Sequence, residues 1–227
     1  NGTDFLLSGT FGELRGNHFH SGIDIKTGGE VGKPLYAVRE GYIYRLKVSP
    51  YGFGQAVYLR HPDGQFSVYG HMDRFSEEIE EFIYQKQYAS KKYDQEIYLP
   101  ENQMPIRKGK LIGYSGNSGS SQGPHLHFEI RDPDERITNP IKHYKHLIRD
   151  NVRPIVQTIA FESIEAGSRV NGRFEKYEVR PDGNDGRYTI PGVVELTGKV
   201  GMEYHGYDLL NGAGNHCGIN YANLYLD

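Results

Sequence analysis

The chain carries a single cysteine, Cys217, among its 227 residues, and no tryptophan. One cysteine closes no intrachain disulfide and builds no cysteine-rich zinc site. No apolar run approaches the roughly 20 residues that a membrane-spanning helix needs. A basic tract is also missing. The 26 Lys and Arg against 29 Asp and Glu leave a formal net charge of −3, which argues against a nucleic-acid partner. Histidine (10), glycine (29) and tyrosine (18) are plentiful. Glycine and tyrosine together point to a β-rich chain with many tight turns. Any metal site here must use His, Asp and Glu. The length suits one large domain or two modest ones. The first residue is Asn1 rather than Met, so a trimmed start is expected, and with it an earlier signal peptide or lipid anchor that would not be visible.

Along the chain, Tyr42, Tyr44, Leu46 and Val48 share a parity within 34–49, which predicts a half-buried strand. Residues 55–61 and 65–70 flank Pro62-Asp63-Gly64 and read as a hairpin. Leu111–Tyr114 reads as a short buried strand, followed by a Ser/Gly/Asn loop at 115–123. Residues 124–131 alternate, with His125, His127 and Glu129 on one side and Leu126, Phe128 and Ile130 on the other. The segment from 76 to about 90 reads as a helix. Ser76 precedes Glu77, Glu78, Glu80 and Glu81 at the positive end of the dipole, and Phe75, Ile79, Phe82 and Ile83 have helical spacing. An irregular stretch to about 104 is expected after it.

Near 150 the character changes. Asp150–Pro154 reads as a linker, dividing 1–150 from a β-rich remainder, 151–227. In the remainder, Ile155–Phe161, Phe174–Val179, Val193–Val200 and Asn220–Asp227 are β-type. The stretch is shorter than the about 100 residues of an immunoglobulin-like sandwich, which suggests a sandwich-like domain that is incomplete here.

Two local patterns carry chemistry. His20-Ser21-Gly22-Ile23-Asp24 gives a His-x-x-x-Asp spacing, which alone means little because such pairs meet by chance in loops. His125-Leu126-His127 puts two imidazoles on one sheet face, roughly 7 Å apart at about 3.3 Å per residue. One of these two could bind a zinc ion with His20 and Asp24 while the other lies beside the bound water. Three protein ligands plus water is the open coordination of a catalytic zinc, which lowers the pKa of its water towards about 7.

Taken with Tyr69-Gly70-His71-Met72, Ser115-Gly116-Asn117-Ser118-Gly119 and Gly123-Pro124-His125-Leu126-His127-Phe128-Glu129, the first pattern resembles the M23 metallopeptidases. These are the lysostaphin-like or LytM-like peptidoglycan endopeptidases. The resemblance covers about residues 8–140. Its start, Leu7–Arg15 running into Asn17-His18-Phe19-His20, is most similar to the larger Bacteroides-type members. It implies a mainly β fold: an antiparallel sheet core (a duplicated hybrid motif, lysostaphin-like) with a helical insertion at about 76–104, followed by the partial β domain. It also implies residue roles. His20, Asp24 and His127 match the zinc ligands, and His71 and His125 match the two catalytic histidines. One imidazole would take a proton from the zinc water; either could serve the leaving amine or the oxyanion.

His18 is a rival to His20, but the spacing to Asp24 favours His20, leaving His18 to the cleft wall or the ligands' surroundings. His61, before Pro62, reads as a turn residue. His143, His146, His205 and His216 lack metal-like neighbours. Glu129 either orients His127 or is an exposed strand carboxylate. The loop 115–123 lacks the Gly-Lys-Ser/Thr ending of a phosphate cradle and reads as one rim of the cleft. Some relatives carry a tyrosine upstream of the first ligand. Phe11 stands nearest here, so that role is not assigned.

The implied activity is zinc-dependent hydrolysis of peptidoglycan cross-links, either D-Ala–diaminopimelate links or glycine bridges, beyond the cytoplasmic membrane. The alternative is a non-catalytic peptidoglycan-binding or amidase-activating member. Such members lose ligands or catalytic histidines, whereas all five positions are filled here. A zinc peptidase acting on proteins is a third reading.

Overall fold

The computed structural model describes residues 5–101 and 103–225. Two compact units form, Asn1–Arg149 and Asp150–Asp227. Among the described residues, no helix is long and apolar enough to cross a membrane.

The first unit is built on one 11-stranded sheet whose pairs are all antiparallel. Its strands are β1 (Leu7–Gly9), β2 (Ile23–Lys26), β3 (Pro34–Tyr36), β4 (Gly41–Val48), β5 (Gln55–Arg60), β6 (Phe66–Phe75), β7 (Gln95–Tyr98), β8 (Pro105–Ile106), β9 (Leu111–Ser115), β10 (His125–Arg131) and β11 (Ile137–Thr138). The main path runs β1-β2-β10-β6-β5-β4-β7, and β9 bridges β3 and β6. The strand β10 is therefore central. It pairs with β2 so that His127 faces Asp24, and with β6 so that His127 faces Gly70. Leu7, Ile23, Leu46, Val57, Leu59, Val68 and Ile112 are fully buried and form its core.

The hairpin of β5 and β6 forms as expected, and β6 runs on past His71 to Phe75. The parity expected of β4 fails in its first half. Leu46 and Val48 are buried, but so is Ile43, while Tyr42 and Tyr44 are half-buried. The cause is a bulge. Ile43 pairs with Leu59 and Arg45 with Tyr58, leaving Tyr44 as the extra residue, and an extra residue switches which parity faces inward.

The helix α1 spans Glu77–Ser90. Ile79 and Ile83 bury one turn apart. Ser76 is extended but makes no side-chain cap bond; instead Glu80 Oε2 accepts the Phe75 N–H at 2.8 Å. Lys91 ends the helix in the left-handed conformation, φ 54°, with its N–H donating to the Gln87 carbonyl. The stretch after it is not irregular throughout, because β7 adds to the outer edge of β4, Leu46 opposite Ile97. Its Gln-Glu-Ile-Tyr sequence has too little alternation to mark a strand, and the open edge of β4 supplies the order. A one-turn helix, α2 (Ile141–Tyr144), follows β11.

The second unit contains β12 (Ile155–Ser163), β13 (Arg169–Val170), β14 (Lys176–Val179), β15 (Asp182–Asn184), β16 (Arg187–Thr189), β17 (Leu196–Thr197), β18 (Val200–Leu209) and β19 (His216–Cys217). It forms a 4-stranded sheet in the order β14-β12-β18-β19 and two 2-stranded ribbons. The strand expected over Val193–Val200 breaks into β17 and the first residue of β18, and Val193 is 87% exposed. Asn220–Asp227 was also expected to be a strand. Residues 220–225 are not strand and lie mostly in solvent, with no ladder partner; 226 and 227 lie outside the described residues. Past Val200 the long strand β18 lies beyond the expected strands; pairing with β12 and β19 orders it, although Met202, Glu203, Tyr204 and His205 are all exposed.

Candidate metal centre

The register of β2 against β10 brings Asp24 and His127 together, and the bend before β2 carries His20 to the same point. His20 Nε2 lies 3.0 Å from Asp24 Oδ1 and 3.1 Å from His127 Nδ1. His127 Nδ1 lies 3.1 Å from Asp24 Oδ1, closing a nearly equilateral triangle. All three residues are buried. Among the described residues this is the only group of three or more His, Cys, Asp or Glu able to share an ion.

Hydrogen bonds on the far sides fix what the triangle presents. His20 donates Nδ1–H to the Thr10 carbonyl at 2.8 Å. His127 donates Nε2–H to Glu129 Oε1 at 3.1 Å. The inward nitrogens are then lone pairs, beside a carboxylate oxygen. Three acceptors at this separation repel one another unless a cation lies among them. A regular tetrahedron with metal–ligand distances of about 2.0–2.1 Å has edges of about 3.3 Å, so the donor set and its spacing suit zinc.

His71 and His125 stand next to the triangle. Their ring centroids are 4.8 Å apart, and that of His71 is 5.8 Å from His127. His71 donates Nδ1–H to the Ser118 carbonyl and His125 donates Nδ1–H to the Gly123 carbonyl, both at 2.8 Å. Each ring thus keeps Nε2 for exchange, and that of His125 lies 3.3 Å from Asp24 Oδ1. Burial lowers His71 to about 4. Burial acts the same way on His125, but the Asp24 carboxylate outweighs it and the ring sits above its ordinary value.

The backbone of His71 has φ 58°, a conformation that costs a non-glycine residue energy and persists only where its surroundings impose it. Two loops do so. Phe53 O accepts the His71 N–H at 2.8 Å, and Ser118 O holds the ring. The loops are themselves joined: Gly52 N–H donates to Ser120 Oγ and Gln55 N–H to Ser118 Oγ. The Phe53 ring stacks on His127 at 4.5 Å.

The five residues singled out from sequence therefore meet at one place. Glu129 is not an exposed carboxylate: it is fully buried, bonded to His127 and paired with Arg131. His18 is exposed, beside Asn17, and contributes nothing to the triangle. His61 is no simple turn residue. It is buried, donating Nδ1–H to the Glu40 carbonyl and accepting from Ser67 Oγ. His143, His146, His205 and His216 are exposed. Arg15, Phe53 and Thr10 were not anticipated, since each acts through folded contacts that leave no spacing in the sequence.

Comparison with known proteins follows this geometry. A model of Peptidase family M23 matches residues 18–96 and 93–140, together more than half of the chain. The chain is 31% identical over 122 residues to the DD-carboxypeptidase/endopeptidase Mpg of Neisseria meningitidis serogroup B, a match covering 54% of this chain and 22% of that protein. It is 25% identical over 111 residues to the peptidoglycan DD-endopeptidase ShyA of Vibrio cholerae, covering 49% and 20%. The match spans about a fifth of the length of these relatives. Among solved structures, the catalytic domain of the prophage-encoded M23 protein EnpA from Enterococcus faecalis is similar at 26% identity and TM-score 0.44, covering 62% of this chain and 92% of that one.

Proposed function

Because the chain belongs to Peptidase family M23, a family of metallopeptidases, we propose that it is a zinc-dependent endopeptidase that hydrolyses peptide cross-links of bacterial peptidoglycan. The observation that carries this reading is the triangle of three buried lone-pair atoms, with two further imidazoles beside it. In this reading His20, Asp24 and His127 hold the ion. When bound, zinc supplies Lewis-acid polarisation of the scissile carbonyl and lowers the pKa of water to near 7. His71 and His125 then move protons through Nε2, one taking a proton from the attacking water and one delivering a proton to the leaving amine. Their Nδ1–H bonds to backbone carbonyls keep both rings in the tautomer this needs.

Mpg is named for DD-carboxypeptidase and endopeptidase action and ShyA for peptidoglycan DD-endopeptidase action. This supports D-Ala–diaminopimelate links over glycine bridges as the substrate, and hence action beyond the cytoplasmic membrane. Residues 1–150 would form the peptidase domain, and 151–227 a separate β-rich, immunoglobulin-like one.

The test is mass spectrometry of muropeptides after digestion of purified sacculi with zinc-loaded protein. Cross-linked dimers should fall to monomers, and His125→Ala should slow this by roughly 10²–10⁴-fold. Intact dimers, with His125→Ala behaving like the unaltered protein, would reject the reading.

A further inference from the structure

The segment Thr10–His20 does more than deliver a ligand. The Thr10 N–H and hydroxyl both donate to Glu13 Oε1, at 2.7 and 2.8 Å. The other oxygen of Glu13 accepts from Arg15 at 2.9 Å, and the same Arg15 nitrogen donates to Asp24 Oδ2 at 3.1 Å. The His20 N–H donates to the Glu13 carbonyl at 2.8 Å, closing the strap on itself. The two oxygens of Asp24 are thereby divided: Oδ1 faces the imidazoles and Oδ2 faces a guanidinium.

Gly9 makes the room for this contact. A Cβ there would lie 2.5 Å from Arg15 Nη2 and 2.5 Å from Asp24 Oδ2. The backbone of β1 passes so close to the ion pair that any side chain would drive between its partners.

We propose that Arg15 is a positioning residue that restricts Asp24 to ligation through one oxygen. This rests on the metal-centre reading above. A carboxylate with both oxygens free can swing onto a cation as a two-oxygen ligand, adding a donor where a catalytic zinc keeps an open position. The guanidinium prevents that by occupying Oδ2. Its planar fork has a fixed direction, so its hold is tighter than an ammonium's would be. Glu13 keeps the guanidinium from turning away.

The test uses the whole chain, stripped with chelator and reloaded with Co2+ as a visible stand-in for zinc. The unaltered protein should show the intense d–d absorption of a four-coordinate site. Arg15→Gln should lose several-fold in that intensity as Oδ2 enters, with a 10–100-fold loss of activity. Gly9→Ala, which keeps both charged side chains and only separates them, should give the same change. Arg15→Lys should fall between. If Arg15→Gln and Gly9→Ala fold, bind Co2+ and give the unaltered spectrum, the proposal is wrong. If the unaltered protein binds no Co2+ at this site, the metal-centre reading itself fails, a separate outcome.

Discussion

His127 donates to Glu129 from two residues away on the same strand face, and Glu129 is fully buried with Arg131 as its second partner. Burial acts to raise the Glu129 carboxyl, but His127 and Arg131 overcome it and hold the group ionised. Removing the carboxylate leaves the half-buried Arg131 guanidinium without its partner. Glu129→Ala should therefore cost about 3–5 kcal/mol in denaturant unfolding. Glu129→Gln should cost less and weaken zinc binding about 10–100-fold in a chelator competition. Unchanged affinity in a folded Glu129→Gln would remove Glu129 from the centre.

Zinc should stabilise the chelator-stripped protein, because an ion that binds only the folded chain adds about 2.7 kcal/mol at a hundred times its dissociation constant. Thermal melts across a zinc titration should show a rising Tm that Asp24→Asn abolishes. A Tm independent of zinc would count against the triangle as a binding site.

Gly119 joins the two loops that hold His71. It has φ +72°, and a Cβ on it would lie 2.3 Å from Gly54 N and 2.4 Å from Gly52 O. Gly119→Ala should cost about 2 kcal/mol or more through strain and steric displacement. Turnover should fall while zinc affinity holds, since no triangle residue is touched. Steady-state kinetics beside a zinc titration separates the two.

Burial lowers His61 from its ordinary value of 6.5, against the opposing pull of the Glu40 carbonyl. A histidine whose folded value is depressed binds fewer protons than the unfolded chain as pH falls below 6.5. Its contribution to stability is thus complete above about 6.5 and is lost as pH falls through the folded value. The fall in Tm between about pH 7.5 and 5 should be smaller in His61→Gln than in the unaltered chain. Equal falls would show that His61 does not titrate across folding.

Arg45 lies over the rings of Tyr58 and Tyr98, 4.4 and 5.3 Å from their centroids, and pairs with Glu96 on β7. Glu96 is half exposed, so Glu96→Gln should cost under about 1 kcal/mol. Arg45→Ala should cost more, near 2 kcal/mol, by removing the stem and the ring contacts. Urea midpoints of the two variants test the order.

The parts legible in the sequence were those governed by local period. The glutamates and the Ile79–Ile83 spacing mark α1. Asp63-Gly64 marks the hairpin, and the parity of His125, His127 and Glu129 marks one face of β10. The parts that were not legible depend on partners far along the chain. Tyr44 is a bulge residue only because β5 pairs with β4 as it does. The strand β7 exists because an edge was open, and β18 runs long because β12 and β19 pair along it. His61 is buried by Glu40 and Ser67, neither of which a turn motif names. Arg15 becomes informative only when β1 passes beside it at Gly9.

Asp24 and His127 are 103 residues apart in the chain yet directly opposite in the ladder. Until β10 has docked between β2 and β6, His20 and Asp24 offer an ion only two donors. That docking needs the hairpin, the helical insertion and β9 already synthesised, and it closes a long loop at an entropic cost. On the metal-centre reading, the full set of three donors is thus withheld from the emerging polypeptide until the sheet is assembled. If the proposed activity holds, partly made chains would bind the metal weakly and cut nothing, so synthesis and activity would be separated in time.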